Sequence, residues 1–440
     1  MNTTKTETRR QFIKTTGFVT LATLSLPALL KAQSAPAIVS GTNLNSRLGI
    51  GFIGCGSRAG SHMRMLRMLK DDGKLPIEFA AVCDVYRPRL NKAKTQLNSG
   101  SAYMDHRELL ADKKVDMVCI ATPDHHHAYQ AIDALQAGKH VYCEKPLTHW
   151  RQFELTKKLA AVAEKSPCAF TCGAQAMSDG AWARMKQLVK EGLIGQPLFG
   201  ETSFFRIGDW GERGMQVDDP NAKPGADLNW DAFQGDAPKH KFTVDRLFRW
   251  RMFEDYSGGP VTDVYPHCLT PVVDILGVGF PDTVVAVGGI DRYNYDDKLR
   301  EVPDTCSLLA HYPEKITISV LGTEANDFNS VLPNRGAGQR APTIRGWDGT
   351  LTVDRNNKEI LFTALRTKDA KPDQRFPIEY GENNTELWRN LIQCAQKGTK
   401  DTWCPINLAF RTQTVLQMAA LEQRKGATAH FDAKKQKIII

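Results

Sequence analysis

The sequence predicts an α/β protein, and three observations carry that prediction. A short apolar run at residues 48–53 passes directly into Gly54-Cys55-Gly56-Ser57-Arg58-Ala59, a G-x-G-x-x-A turn, and then into a helical pattern. Strand-like and helical stretches alternate from Leu48 to about Phe170, as βαβ units around a parallel sheet do. An acidic residue, Asp84, closes the second strand-like run.

The elements follow in order. Candidate strands lie at 48–53, 77–83, 115–121, 139–143 and 168–172, with helical patterns at 59–70, 87–97, 125–137 and 150–165. In the turn, Gly54 permits the sharp bend and Gly56 lets a pyrophosphate approach the backbone. Ala59 lets helix and strand pack closely. The free N–H groups of the helix start, at Ser57 and Arg58, face the phosphates. After Gly173 the character changes. A helix at 179–192 and a strand at 197–206 precede an irregular stretch, 208–248, rich in Gly, Asp, Pro and Trp. Loops this long are usually functional or disordered. Its aromatics (Trp210, Trp230, Phe233, Phe242, Phe248 and the adjoining Trp250) favour an ordered wrap near a substrate. A helix at 263–276 follows, then strand-like runs at 283–290, 304–311, 315–322, 350–353 and 358–362, and helices at 384–397 and 406–425. The predicted division is a dinucleotide-binding domain, 47–172, and a second domain, 173–440, whose final helices pack back on the first.

Residues 1–32 read as a targeting segment. Arg9-Arg10-Gln11-Phe12-Ile13-Lys14 precedes a mostly apolar run from Phe18 to Leu30 and then Lys31-Ala32-Gln33. That order is the order of a signal peptide, and the run is short for a bilayer span. The paired arginines resemble a twin-arginine signal, which implies a twin-arginine translocase as export partner and a periplasmic location. Residues 33–46 form a polar linker. No later segment reads as transmembrane, so no membrane anchor is expected after cleavage. Half of the net charge of +8 resides in the targeting segment (Lys5, Arg9, Arg10, Lys14 and Lys31 against Glu7). The remainder is too small, and too free of basic stripes, for a nucleic-acid partner. The ten cysteines include no C-x-x-C and mostly sit in apolar runs, as reduced core residues do. Such thiols suit a protein that folds in the cytosol and is exported folded.

Asp84 stands where a dinucleotide fold places the acid that accepts the adenosine ribose hydroxyls. Its charge favours NAD over NADP, although Arg87 leaves NADP open. A helix-cap role for Asp84 is the plainer alternative. Two further strand ends carry Ile120-Ala121-Thr122-Pro123-Asp124-His125-His126-His127 and His140-Val141-Tyr142-Cys143-Glu144-Lys145-Pro146-Leu147. Ligands of open α/β sheets bind outside the carboxyl ends of strands, so both tracts point at a cofactor. A lysine there can stabilise an alkoxide. Asp263 and His267, at i,i+4, share one helix face, and a carboxylate beside a histidine orients it for proton transfer. Three adjacent histidines cannot easily face one ion, so no metal site is expected at 125–127.

These residues resemble the glucose–fructose oxidoreductase / inositol dehydrogenase / MocA-type oxidoreductases. The resemblance rests on Gly54-Cys55-Gly56, Asp84, Thr122-Pro123-Asp124-His125 and Glu144-Lys145-Pro146. It continues through Asp255-Tyr256-Ser257-Gly258-Gly259-Pro260-Val261-Thr262-Asp263-Val264-Tyr265-Pro266-His267. It spans roughly residues 47–425. It implies a C-terminal α+β domain with an open, mostly antiparallel sheet and a homodimer or homotetramer. It implies Lys145, Asp263 and His267 as the catalytic set: His267 the proton acceptor, Asp263 its orienter or a substrate anchor, Lys145 the oxyanion stabiliser. The cofactor-binding set is Gly54, Gly56, Ser57, Arg58, Asp84, Thr122, Pro123, His125, Glu144 and Lys145, and Gln175, Arg251 and Tyr265 face the substrate. The chain departs from the family pattern at Thr270, where many relatives carry an aspartate, and at Pro266, which bears on where the helix starts. The function implied is oxidation or reduction of a secondary hydroxyl on a sugar, glycoside or polyol with NAD, NADP being possible. The alternative is a redox-neutral glycosidase, lyase or epimerase acting through a transient keto-sugar. An exported enzyme of this kind is expected to keep its cofactor bound.

Overall fold

The computed structural model describes residues 47–209, 213–295, 297, 299–329, 334–335, 341–367 and 369–440. The targeting segment and linker read at 1–46, and Trp210 of the long irregular stretch, lie outside the described residues.

The first half is a six-stranded parallel sheet. Its strands are β1 (Leu48–Ile53), β2 (Ile77–Cys83), β3 (Ser101–Tyr103), β4 (Met117–Ile120), β5 (His140–Glu144) and β6 (Phe170–Gly173), in the spatial order β3-β2-β1-β4-β5-β6. Every residue of β1 is buried, which is why it reads as an unbroken apolar run. The flanking helices are α1 (Ser57–Asp71), α2 (Arg87–Leu97), α3 (His106–Ala111), α4 (His127–Gln136) and α5 (Phe153–Lys165). β3 and α3 are absent from the sequence reading. β3 has only three half-buried residues and exists through its pairing with β2. α3 is six residues long, and the Asp105 side chain caps it by accepting from the Arg107 N–H. Register decides where the site falls. Ile53 is level with Cys83 and with Ile120, and Ile120 is level with Cys143. Gly54, Asp84, Ala121 and Glu144 therefore emerge along one edge.

The second half begins with α6 (Gly180–Lys190) and β7 (Pro197–Ile207). The segment that follows contains α7 (Trp230–Gln234) and α8 (Val244–Phe248). Here Leu228, Trp230, Phe233, Phe248, Trp250 and Tyr256 form a small apolar core with Tyr86 of the first half. Next come α9 (Pro260–Asp263), α10 (Tyr265–Leu276), β8 (Thr283–Val287), β9 (Thr305–His311) and β10 (Thr317–Thr323). The large sheet runs Gln374–Pro377, Glu359–Ala364, Gly349–Asp354, Thr343–Gly346, β7, β10, β9, β8, Ala429–Asp432, Lys437–Ile439. It is antiparallel except where β7 meets β10. Val272 and Leu276 of α10 share one core with Val284, Leu308 and Val320 of the sheet and with Val415 and Leu416 of α12 (Ile406–Lys425). α11 (Asn384–Lys397) instead buries Trp388, Leu391 and Ile392 in one core with Ile50 and Phe52 of β1.

One helix expected at 263–276 is two. α9 ends at Asp263 and α10 begins at Tyr265, with Val264 between them. Pro266 has no N–H to donate, so it belongs in a first helical turn and not in a helix interior.

Candidate active site

A cleft of about 1390 Å³ opens along the strand-end edge and is closed on its far side by residues of the second half. Gly54 turns the chain with φ +87, and a Cβ there would stand 2.7 Å from the Ala121 carbonyl oxygen. Only glycine fits both conditions. Gly54→Ala is therefore expected to destabilise the fold by about 1–3 kcal/mol and to abolish nucleotide binding. Thermal unfolding with and without NAD measures both. Gly56 is different: its backbone is ordinary, and a Cβ would meet only Arg89 Nη1, at 3.5 Å. The space above it is a cradle that a phosphate can enter, with Ser57 and Arg58 lining it at the start of α1. Ala59 is fully buried against the sheet.

Asp84 holds this turn together. Its Oδ2 accepts from the Cys55 N–H at 2.7 Å and its Oδ1 from the Tyr86 N–H at 2.8 Å. Burial raises its pKa, opposed by the nearby Arg89 guanidinium. Each oxygen keeps lone pairs for ribose hydroxyls; the helix-cap alternative does not hold, because Tyr86 occupies the cap position of α2 and no side chain caps that helix start. Near Asp84 it is Arg89, not Arg87, that lines the cleft, paired with Asp218 at 2.6 Å. Arg87 is exposed and bonds the Ala226 carbonyl and Asp227.

Glu144 is the hub of the cofactor side. Its Oε1 accepts from Arg58 Nε (2.8 Å), His62 Nε2 (2.8 Å) and Gln175 Nε2 (3.0 Å). Burial alone would raise its pKa, but the Arg58 charge and the His62 bond hold it well below the carboxylate range. Trp388 of α11 donates its indole N–H to His62 Nδ1 at 3.0 Å. An indole only donates, so Nδ1 is an acceptor and the His62 proton sits on Nε2, directed at Glu144. Burial keeps this histidine neutral. Trp388 also stacks on Tyr142, ring centroids 4.3 Å apart. His62 and Trp388 are missing from the sequence reading. His62 had a signal, since it is one helical turn after Arg58 on the same face; Trp388, remote in sequence, had none.

The substrate side centres on Asp263. Its Oδ1 accepts from Lys145 Nζ at 2.7 Å and from Arg251 Nε at 3.3 Å, and Lys145 Nζ also donates to the Asp263 carbonyl at 2.5 Å. Burial would raise the Asp263 pKa, but Arg251 and Lys145 outweigh it and drive it far down. The carboxylate is ionised at any working pH. Arg251 also lies over the Trp250 ring, 4.2 Å from the centroid to Cζ. His267, in the first turn of α10, lines the same cleft.

The structure thus brings together along one cleft Gly54, Gly56, Ser57, Arg58, Asp84, Thr122, Pro123, Glu144, Lys145, Gln175, Arg251, Asp263 and His267. Gln175 spends its amide N–H on Glu144 and so braces the cofactor side. Two expected site residues lie elsewhere. Tyr265 is fully buried and donates its hydroxyl to the Cys306 carbonyl. Asp263 ends α9 and His267 belongs to α10, so the shared helix face expected for the pair does not form, and Tyr265 between them opens α10 inside the core. His125 is buried against the Phe233 carbonyl at 2.9 Å and the Tyr256 ring and does not line the cleft. His126 turns to the same carbonyl at 2.7 Å.

Residues 48–174 match the model of the GFO_IDH_MocA family, an oxidoreductase family with an NAD-binding Rossmann fold. The first domain is similar to this family. Over 241 residues the chain is 27% identical to the alpha-N-acetylgalactosaminidase of Shewanella oneidensis, covering 50% of this chain and 49% of that protein. Over 153 residues it is 35% identical to the myo-inositol 2-dehydrogenase of Thermotoga maritima, covering 34% of this chain and 42% of that protein. The matches thus span about half the length of these curated relatives, or less. The similarity of fold extends further. Levoglucosan dehydrogenase in complex with NADH superposes with a TM-score of 0.64 at 18% identity, over 87% of this chain and 98% of that one. An oxidoreductase domain protein from Kribbella flavida gives 0.65 at 20%, over 88% and 99%.

Proposed function

We propose that this protein is an exported, NAD-dependent oxidoreductase acting on a secondary hydroxyl of a sugar, glycoside or polyol, with its cofactor retained through many turnovers. One observation carries the reading: the glycine turn and the Lys145–Asp263–Arg251 cluster, with His267, line the same cleft. Gly54, Gly56, Ser57, Asp84 and the Glu144 hub would hold the dinucleotide, which when bound supplies a hydride acceptor. Lys145 fixes the substrate oxygen and lowers that oxygen's pKa, His267 takes the hydroxyl proton, and Asp263 holds Lys145 in place. The chemistry named for the relatives, on inositol, levoglucosan and an N-acetylgalactosaminide, supports a polyhydroxylated substrate. The galactosaminidase similarity also favours a second reading, a redox-neutral glycosidase on the same residues.

Purification without added nucleotide, followed by incubation with myo-inositol, levoglucosan and aryl glycosides, tests both readings. NADH accumulation supports net oxidation; glycoside cleavage without it supports the redox-neutral route. His267→Ala is expected to lower kcat about 10²–10⁴-fold while bound nucleotide is retained. An unchanged rate defeats the assignment. A mature protein that purifies without nucleotide counts against a retained cofactor.

Export through the twin-arginine translocase to the periplasm is part of this proposal, supported by Arg9-Arg10 and by ten cysteines that form no disulfide, nearly all buried. A homodimer or homotetramer is supported by Val285, Val287 and Leu309, exposed apolar side chains, with Val285 and Leu309 facing each other across β8 and β9. Fractionation of expressing cells tests the first and sedimentation the second.

A further inference from the structure

Asp124 lies in the turn that follows β4, is 1% exposed, and lines the cleft. Neither of its carboxyl oxygens is hydrogen-bonded to another residue; its own backbone N–H is the one donor that reaches it. Buried carboxylates are ordinarily paired or hydrogen-bonded, and this site does so for Glu144 and Asp263. The charged and titratable groups that face Asp124 are Arg251 from residues 250–252, Asp263 at the end of α9, and Lys145 and the Cys143 thiol at the end of β5. The two cations already bond Asp263. Burial and the Asp263 charge push the Asp124 carboxyl up to about 8, against the pull of Arg251 and Lys145. Two carboxyls in one cleft are thus driven apart, one ionised and one holding its proton. Such separation marks division of labour in an active site, and a neutral carboxylic acid there is a hydrogen-bond donor.

We propose that Asp124 is a substrate-recognising residue whose carboxyl O–H donates a hydrogen bond to a sugar oxygen next to the hydroxyl held by Lys145. The proposal rests on the sugar-oxidoreductase reading above and adds a donor to it. The acceptor is a neutral hydroxyl, ether or carbonyl oxygen, the kind of oxygen a sugar offers to an O–H donor. Ionisation of Asp124 turns the donor into an acceptor beside Asp263, so sugar affinity falls as pH rises through its pKa while nucleotide affinity does not.

The test compares NAD-loaded wild type with Asp124→Asn and Asp124→Leu. The wild-type-minus-D124N infrared difference spectrum at neutral pH is expected to show a protonated-carboxyl band that disappears above pH about 8. With whichever sugar of the panel turns over, wild-type KM is expected to rise about tenfold per pH unit beyond that point, as loss of one proton requires. D124N keeps an N–H donor of different reach, so its KM rises about threefold at neutral pH but stays level with pH. D124L raises KM about tenfold or more with a smaller change in kcat. Absence of the band overturns the proposal. So does a level wild-type KM, or a D124L variant that loses NAD and not sugar. A panel without turnover defeats the oxidoreductase reading instead, and the infrared band then decides alone whether Asp124 holds its proton.

Discussion

Replacing Lys145 by alanine is expected to lower kcat/KM about 10³-fold or more, about 4 kcal/mol of transition-state stabilisation. The reason is electrostatic. The Lys145 side chain is 11% exposed and is locked by two bonds to Asp263. A cation so held needs no reorganisation when charge develops on the substrate oxygen. Its removal also leaves Asp263 buried with Arg251 as its remaining cation partner among the bonds described. The Asp263 pKa, now deeply depressed, then rises, and the variant loses stability as well as rate. Lys145→Arg separates the two effects, because it keeps the charge but not the compact point donor. It is expected to restore the unfolding temperature more than the rate. Single-turnover NADH formation in the alanine variant within tenfold of wild type would show that the lysine has no part in the chemistry.

Glu144→Gln is expected to cost about 1–3 kcal/mol of stability, because it leaves the partly exposed Arg58 guanidinium without its buried counter-charge. Glutamine keeps the shape, so the loss is one of charge. The sign with pH follows from the depressed pKa. Glu144 ionises in the folded protein far below its ordinary 4.5, so its contribution is complete above that value and is lost as pH falls below it. Wild type is therefore expected to lose stability on acidification more steeply than E144Q, and the two unfolding temperatures converge at low pH. Parallel curves would mean that Glu144 carries no charge in the fold. Nucleotide retention is expected to fall too, since Arg58 and His62 flank the glycine turn and are released together.

Much of the first domain was legible because its signals are local. Residues 48–53 are apolar without interruption, and they form a strand buried on both faces. Gly54 was recognisable because the turn needs a positive φ, which the structure has. Helices 87–97, 384–397 and 406–425 were placed by periodicity alone and lie at those residues. β3 was illegible because its three residues bury too little to leave a pattern. The break at Val264 was half legible: Pro266 marks a helix start, but only the packed structure shows α9 ending before it.

The sequence by itself determined the parallel sheet, the phosphate turn and the residue types available at each strand end. Periodicity, glycine spacing and strand-end position are properties of neighbours along the chain, and they survive without a partner. Tertiary structure decided which of those residues act together. It turned Tyr265 into the core and His125 onto the Phe233 carbonyl. It carried Trp388 to His62 to fix that ring's proton. It left the Asp124 carboxyl buried without a hydrogen bond to any other residue while giving Lys145 and Arg251 to Asp263. The physical reason is that charge and hydrogen bonding in a buried site depend on distance and on exclusion of water, which no spacing along the chain encodes.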